Sequence, residues 1–280
     1  MKIIESPRDG MQGIKKFIST ENKAKYINAL IEVGFDTIDF GSLVSAKAIP
    51  QLSDTTEVLK LLKLSETNTS LMVLVANIKG GEIASQYDEF DFLSFPFSIS
   101  ETFLKKNINS DFEKSKKIID KLQNICEKTK KQLIVYLAMG FGNPYGDKWN
   151  LDVIFEWINF LKNLGLKIIP LSDITGEATK EKITLVYSNI IKEFPEIEFG
   201  FHLHTKPDSY LEKIQAAYEN GCRRFDTVLG GFGGCPMTDY ELLANLNTFD
   251  LLNYCKKNNI QNSIDFNKLK FAEEIALKIF

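Results

Sequence analysis

Eight short apolar runs alternate with longer amphipathic stretches along the 280 residues of the chain, and this alternation restricts the fold more than any other feature. The runs are rich in Ile, Val and Phe, which is typical of parallel strands buried on both faces. They cover residues 2–5, 37–40, 71–76, 91–97, 132–139, 167–173, 197–204 and 224–229. Eight strand–helix units within about 250 residues predict a closed (β/α)8 barrel, the TIM-barrel architecture.

The stretches between the runs carry apolar residues at helical spacing. Residues 110–128, for example, repeat this spacing from Phe112 to Ile125, with Ser110 or Asp111 available as the helix cap. Further helices are predicted over residues 20–34, 151–164, 179–194 and 209–221. A last amphipathic segment, residues 267–280, is expected to form an additional C-terminal helix on the outside of the barrel.

An open, doubly wound sheet is the alternative architecture, because it is built from the same strand–helix units. The glycine fingerprint GxGxxG of dinucleotide-binding sheets does not follow the first strand, which favours the barrel. No Pro-, Gly- or Ser-rich linker interrupts the chain, so residues 1–280 are predicted to form a single catalytic domain.

Composition excludes several classes of protein. The 34 basic and 37 acidic side chains give a net charge of −3, without the basic stripe that a nucleic-acid binder needs. No apolar run approaches the roughly 18 residues of a membrane span, and the first ten residues lack the apolar core of a signal peptide. The four cysteines show no framework spacing, so we expect reduced thiols in a cytoplasmic protein.

Polar side chains stand at the ends of most predicted strands. In a barrel of this type the catalytic groups lie at the C-terminal ends of the strands, where the connecting loops meet. The residues at these ends are Arg8, Asp9, Asp39, Tyr136, Asp173, His202 and His204, together with the glycine loop 230–236 (GGFGGCP). Their convergence on one mouth is stronger evidence for a site than any one of them.

The only two histidines of the chain, His202 and His204, alternate along one strand and therefore face the same side. Two imidazoles with a carboxylate, for which Asp9 is the candidate, suit a divalent cation. The oxygen ligand favours Mg²⁺ or Mn²⁺ over a structural zinc, which usually recruits cysteine. The alternative is a pair of half-buried histidines bonded to the backbone.

Other residues at the mouth also allow more than one interpretation. Arg8 could form a surface ion pair of small energetic value or hold an oxyanion with two parallel hydrogen bonds. Asp173 could be a structural carboxylate, a helix cap or a catalytic group. Cys235, at the end of the glycine loop, could exchange protons or serve as a small apolar residue.

Several motifs, spread over nearly the whole chain, together give a resemblance to a known family. They are PRDGMQ (7–12), VSxK (44–47), IPQ (49–51), SExF (100–103), KKNI (105–108), NPYG (143–146), SD (172–173), HxH (202–204), GGCP (233–236) and NL (245–246). The sequence resembles the 3-hydroxy-3-methylglutaryl-CoA lyases of the DRE-TIM metallolyase superfamily. The loop cysteine is the more specific feature, because the related condensing synthases lack it.

The resemblance implies a role for individual positions. It implies metal ligation by Asp9, His202, His204 and Asn245. It implies catalytic roles for Arg8 as enolate stabiliser, Asp173 with His202 as acid/base, Tyr136 as the active-site tyrosine, Cys235 as the loop cysteine and Asp39. The chain departs from the family pattern where Asp39 replaces a glutamate and Thr205 replaces an aspartate.

The implied reaction is a retro-Claisen cleavage of 3-hydroxy-3-methylglutaryl-CoA to acetyl-CoA and acetoacetate, as in leucine degradation and ketone-body metabolism. The implied cofactor is Mg²⁺ or Mn²⁺, the partner an acyl-CoA substrate, and the assembly a homodimer. One alternative is a lyase or condensing synthase of the same superfamily that acts on another acyl-CoA or on a 2-oxo acid. A second alternative is a non-catalytic barrel that binds a metal or a metabolite.

Overall fold

The computed structural model describes residues 1–65, 67–206, 209–234 and 243–280. Eight parallel strands form the centre of the molecule. They are β1 (Lys2–Glu5), β2 (Thr37–Ser42), β3 (Ser70–Leu74), β4 (Phe92–Ser98), β5 (Gln132–Ala138), β6 (Ile168–Asp173), β7 (Glu198–Thr205) and β8 (Arg224–Thr227). Each pairs with the next along the chain, except that β8 pairs with both β7 and β1, which closes the ring. The predicted TIM barrel is confirmed, and the open sheet is wrong.

Helices in the described residues surround the strands. They are α1 (Pro7–Met11), α2 (Thr20–Val33), α3 (Thr55–Leu59), α4 (Ile78–Ala84), α5 (Glu101–Ile108), α6 (Phe112–Lys128), α7 (Leu151–Asn163), α8 (Lys180–Glu193), α9 (Tyr210–Glu219), α10 (Thr248–Lys257) and α11 (Phe266–Ile279). Helix α11 is the predicted C-terminal helix, and it packs on α2. Among the described residues, no helix has the length and apolar character needed to cross a membrane.

Local chemistry sets the helix boundaries within a residue or two of the predictions. Ser19 caps α2 by accepting a hydrogen bond from the Asn22 N–H, and Gly34 ends the helix in the left-handed region at φ 90°. Of the two caps considered for α6, Asp111 is the one used: its side chain accepts from the Lys114 N–H. The short helices α3, α4, α5 and α10 were not predicted, because they lack a long periodic stretch.

Strand β2 continues to Ser42, two residues beyond the predicted end. Its register with β3 shifts between Asp39 and Gly41, which marks a bulge. A side chain at Gly41 would lie 2.5 Å from the Thr55 methyl group, so glycine allows α3 to approach the strand. Residues three positions apart normally point to opposite faces of a strand. The bulge adds one residue between Asp39 and Ser42, so both side chains point to the same face of β2.

The strand register determines which side chains enter the barrel. Ile4, Met72, Ile134 and Ile168 form a small core of their own inside it, while the main core lies between the strands and the helices. Parallel partners point to the same side of a sheet, and successive residues along a strand point to opposite sides. This parity decides which of the predicted site residues reach the mouth.

A short strand extends the sheet beyond the barrel. Strand β9 (Ala244–Asn245) pairs antiparallel with β7, and the pairing sets Asn245 opposite His204. Strand β9 therefore carries a residue from the last fifth of the chain to the strand that holds both histidines.

Candidate active site

Three predicted ligands converge at the mouth of the barrel. Asp9 is on α1, directly after β1, and the two histidines are on β7. The Asp9 Oδ2 atom lies 3.5 Å from His204 Nε2 and 3.8 Å from His202 Nε2, and the two Nε2 atoms are 3.0 Å apart. All three residues are buried. The two rings make no hydrogen bond to the backbone within the described residues, so the interpretation as backbone-bonded histidines is wrong.

The state of these atoms fits a divalent cation. Asp9 Oδ1 accepts hydrogen bonds from Arg8 and Gln12, at 2.9 and 2.5 Å, but the buried Oδ2 atom has no partner in the described structure. Burial opposes the charge on Asp9, yet the Arg8 guanidinium and the nearby histidines hold its pKa well below the usual range. A buried, ionised oxygen without a hydrogen bond that faces two imidazole nitrogens is a donor set for a divalent cation.

Asn245 is beside this group. Its side-chain N–H donates to the Phe232 carbonyl at 2.9 Å, which fixes the orientation of the carboxamide. The backbone pairing of Asn245 with His204 places it next to the cluster. The structure therefore brings together three of the four residues that the resemblance implies as metal ligands, and it sets the fourth, Asn245, opposite His204.

Arg8 and Asp39 form a buried pair. The Arg8 Nε and Nη2 atoms donate to one oxygen of Asp39, Oδ2, at 3.0 and 2.5 Å, and Nη1 donates to Asp9. The Arg8 side chain is 11% exposed, so its interpretation as a surface ion pair is wrong. Burial raises the pKa of Asp39, and Arg8 opposes this shift. The shorter carboxylate thus still reaches the guanidinium, while its Oδ1 atom is buried with no hydrogen bond to any described residue.

Tyr136 and His202 are in contact across the barrel. The Tyr136 ring meets the His202 ring edge-on, with 5.8 Å between centroids. Burial raises the pKa of Tyr136, and the negative charge of Asp226 adds to this effect. Tyr136 therefore stays a neutral phenol beside the cation site at physiological pH.

A pocket of about 190 Å³ opens above these groups, and its lining divides into polar and apolar residues. The polar lining consists of Arg8, Asp9, Gln12, Asn107, Tyr136, Ser172, His202 and His204. The apolar lining consists of Val44, Ala48, Ile49, Leu74, Pro96, Phe97, Phe103, Ala138 and Ile174. This division suits a substrate with a polar reacting end and an apolar part.

Comparison with known proteins agrees with this geometry. The family model HMGL-like matches residues 1–275. The chain belongs to the HMGL-like family. The predicted resemblance is confirmed, and with it the assignment to a family of lyases.

Individual relatives are similar to this HMGL-like chain in sequence or structure along most of their length. The hydroxymethylglutaryl-CoA lyase YngG of Bacillus subtilis is 29% identical over 95% of this chain and 88% of its own. The mitochondrial hydroxymethylglutaryl-CoA lyase of Homo sapiens is 31% identical over 96% of this chain and 82% of its own. The structure of an HMG-CoA lyase from Acinetobacter baumannii, in complex with coenzyme A and 3-methylmalate, has a TM-score of 0.91 at 30% identity and covers 99% of this chain and 90% of its own.

Asp173 is a predicted site residue that does not line the pocket of this HMGL-like barrel. Asp173 pairs with Leu203, whereas Ser172 pairs with His202, so Ser172 enters the barrel and Asp173 faces the helices. Its two carboxylate oxygens accept hydrogen bonds from the backbone N–H groups of Glu177 and Ala178. This geometry therefore does not support the predicted proton-transfer role of Asp173. It supports the interpretation of Asp173 as a structural carboxylate.

A neighbouring lysine supports the structural interpretation of Asp173. Lys213, from α9, reaches the same carboxylate at 3.5 Å and is itself buried. Thr179, not Asp173, caps helix α8. Asp173 instead stabilises the turn before the helix. Asp173 thus joins that turn to α9.

Asp226 is a site residue that the sequence analysis missed. Its Oδ2 atom lies 3.1 Å from His202 Nδ1, and strand pairing places it directly beside His202. An ionised carboxylate only accepts, so this contact favours the neutral His202 tautomer with its proton on Nδ1, which leaves Nε2 to bind a cation. Burial opposes protonation of His202, but Asp226 and Asp9 raise its pKa above the usual value. A carboxylate in the middle of a predicted buried strand, residues 224–229, was the available signal.

The glycine loop is only partly within the described residues. Gly230, Gly231, Gly233 and Gly234 all adopt positive φ, which non-glycine residues rarely do. A side chain at Gly233 would lie 2.5 Å from the Asp9 carbonyl oxygen, so the turn packs directly on a metal-ligand residue. Cys235 lies outside the described residues.

Proposed function

We propose that this chain cleaves 3-hydroxy-3-methylglutaryl-CoA to acetyl-CoA and acetoacetate by a retro-Claisen reaction. The observation that carries the proposal is the convergence of Asp9, His202 and His204 at a barrel mouth that also contains the fixed Arg8 guanidinium. The relatives named for this reaction support it, since they match nearly the whole chain.

The proposed cation is Mg²⁺ or Mn²⁺, held by Asp9, His202, His204 and Asn245. When bound, it supplies a positive charge that polarises substrate oxygen atoms and favours loss of the 3-hydroxyl proton. Neighbouring groups orient two of these ligands: Asp226 fixes the His202 ring, and the Phe232 carbonyl fixes the Asn245 carboxamide.

Arg8 stabilises the negative charge that develops when the bond between C2 and C3 breaks. Its guanidinium is buried and held by two carboxylates, so it needs no reorganisation during the reaction. Asp39 is the proposed proton acceptor, because its Oδ1 atom is free of hydrogen bonds within the described structure and burial raises its pKa. We propose that Cys235 gives a proton to the enolate carbon, on the strength of its motif alone.

The assay is release of acetoacetate by the purified protein from 3-hydroxy-3-methylglutaryl-CoA with Mg²⁺ or Mn²⁺. We expect product that disappears on chelation and in His204→Ala. A conservative surface variant, Lys105→Gln, serves as the control, because its ion pair with Glu101 is exposed. A folded, metal-loaded protein that forms no product above background would contradict the proposal.

The same assay separates the alternatives. Other 3-hydroxyacyl-CoA substrates test a lyase of different specificity, and acetyl-CoA with a 2-oxo acid tests a condensing synthase. Metal binding without turnover of any of these indicates the non-catalytic barrel. Homodimer formation and a cytoplasmic location belong to the proposal through the family resemblance, and sedimentation of the purified protein tests the former.

A further inference from the structure

Glu5 is a completely buried carboxylate outside the pocket. It is 0% exposed and ends β1, where Ile4 faces the barrel interior and Glu5 therefore faces the helices. It accepts three hydrogen bonds: from Leu229 N at 2.6 Å, from Thr248 Oγ1 at 2.7 Å and from Thr227 Oγ1 at 3.1 Å. A buried carboxylate with this many donors is a strong local restraint.

Two of these donors come from opposite ends of one stretch of chain. Leu229 begins the turn that leads into the glycines, and Thr248 begins α10, three residues after the end of β9. Thr227, by contrast, is within β8, which the backbone pairing with β1 already holds. One side chain thus fastens both ends of residues 229–248 to β1.

The described parts of this stretch contact the cation site. The Gly233 backbone packs on the Asp9 carbonyl group, and the Asn245 side chain donates to the Phe232 carbonyl. The Leu246 N–H donates to the Leu203 carbonyl, between the two histidines. A displacement of either end of the stretch would therefore move Asn245 relative to Asp9.

We propose that Glu5 is a positioning residue, which holds the glycine turn and Asn245 against Asp9 and so sets the geometry of the cation site. This proposal rests on the ligand set of the proposed function. Glu5 itself touches none of the four ligands: it acts through Leu229 and Thr248. Burial raises its pKa to about 7, which shows how far the surroundings remove it from solvent.

Two matched substitutions test the proposal. Thr248→Val removes the hydroxyl that donates to Glu5 from one end of the stretch. Thr227→Val removes the hydroxyl that donates to Glu5 from strand β8. We expect Thr248→Val to weaken Mn²⁺ binding about 10-fold, the lower end of the range for residues behind metal ligands, and to speed hydrogen exchange at the Leu246 amide. Thr227→Val should change Mn²⁺ affinity less than about threefold.

Thr248→Ser keeps the hydroxyl and should restore both readouts. Equal Mn²⁺ affinity and equal Leu246 exchange in the two valine variants would overturn the proposal. If Thr248→Val does not fold, Glu5→Gln replaces it: the amide retains an acceptor for Leu229 but loses the carboxylate, and wild-type affinity and exchange would again overturn the proposal. Both readouts, Mn²⁺ affinity and Leu246 exchange, are taken without substrate. A wild-type protein that binds Mn²⁺ but lacks lyase activity would therefore contradict the proposed function, while the test of Glu5 would still be valid.

Discussion

At the scale of single residues, the site depends on carboxylates that control their neighbours. Asp226 orients His202, and Asp39 holds Arg8, although neither residue is a proposed metal ligand. In each case a buried acceptor fixes the direction of a donor, which is how proteins prepare a metal site before the ion binds.

Asp226→Asn should release the His202 ring. The amide can donate as well as accept, so the Nδ1–H form of His202 is no longer enforced, and Mn²⁺ affinity should fall 10- to 100-fold. Nitrogen NMR of the imidazoles measures the tautomer, and the spectrum is simple because the chain has two histidines. Glu198→Gln changes a carboxylate at the start of β7 that pairs with Arg224 and Lys2; it is the control and should leave the His202 signals in place.

Glu5 should make stability depend on pH. Its pKa is about 7 in the folded protein and near 4.5 when exposed, so between these values the folded state binds the extra proton. Its contribution to stability is therefore complete below about pH 4.5 and is lost as pH rises to 7, at up to roughly 1.4 kcal/mol per pH unit. Glu5→Gln should flatten this part of the profile in urea unfolding between pH 5 and 8; an unchanged slope would show that Glu5 does not titrate in this range.

The residues that the sequence predicted are those with local motifs. The alternation in HxH is enough to place His202 and His204 on one face, and RDG places Asp9 after a strand. The role of Asp226 and the direction of the Asp173 side chain follow from the register between neighbouring strands. The sequence of a single strand does not contain this register. A shift by one residue would have sent Asp173 into the pocket, since alternate residues face opposite sides.

At the scale of elements, the glycine turn after β8 provides the closest approach to the site. Its glycines adopt left-handed conformations and pack on the Asp9 backbone, where a side chain has no room. The sequence placed this glycine loop at the end of the last strand, but it could not name the surface that the loop approaches. Short helices such as α5 and α10 were missed because tertiary contacts, rather than periodicity, stabilise them.

Gly233→Ala should disturb this contact. It places a methyl group 2.5 Å from the Asp9 carbonyl oxygen at φ +85°, and we expect a loss of about 1–3 kcal/mol in stability together with weaker Mn²⁺ binding. Gly146→Ala is the matched control, because Gly146 has φ +77° but no atom within 4 Å of the added carbon. Chemical denaturation and Mn²⁺ titration compare the two variants; similar effects on Mn²⁺ affinity would mean that strain alone, and not contact with Asp9, explains the loss.

At the scale of the whole molecule, the barrel assembles a site from opposite ends of the chain. The fold was predictable because eight repeats of one pattern leave few architectures open, and the missing dinucleotide fingerprint favoured the closed form. The residues of the mouth follow from that closure, since parallel strands end on the same side.

Mn²⁺ should stabilise the folded protein as a whole. A ligand at 100 times its dissociation constant adds about 2.7 kcal/mol to the free energy of unfolding, which corresponds to a rise in Tm of roughly 5–10 °C for a chain of this size. Differential scanning calorimetry with and without Mn²⁺ measures the shift, and His204→Ala should abolish it. A shift that persists in His204→Ala would locate the ion elsewhere.

The antiparallel pairing of β9 with β7 has a consequence for synthesis on the ribosome. Asp9 emerges among the first residues, but Asn245 reaches its place opposite His204 only after most of the chain has been made. A growing chain therefore carries only one of the four proposed ligands until the two histidines are made, and the fourth follows near the end. Tight capture of the ion becomes a late event that marks a completed barrel.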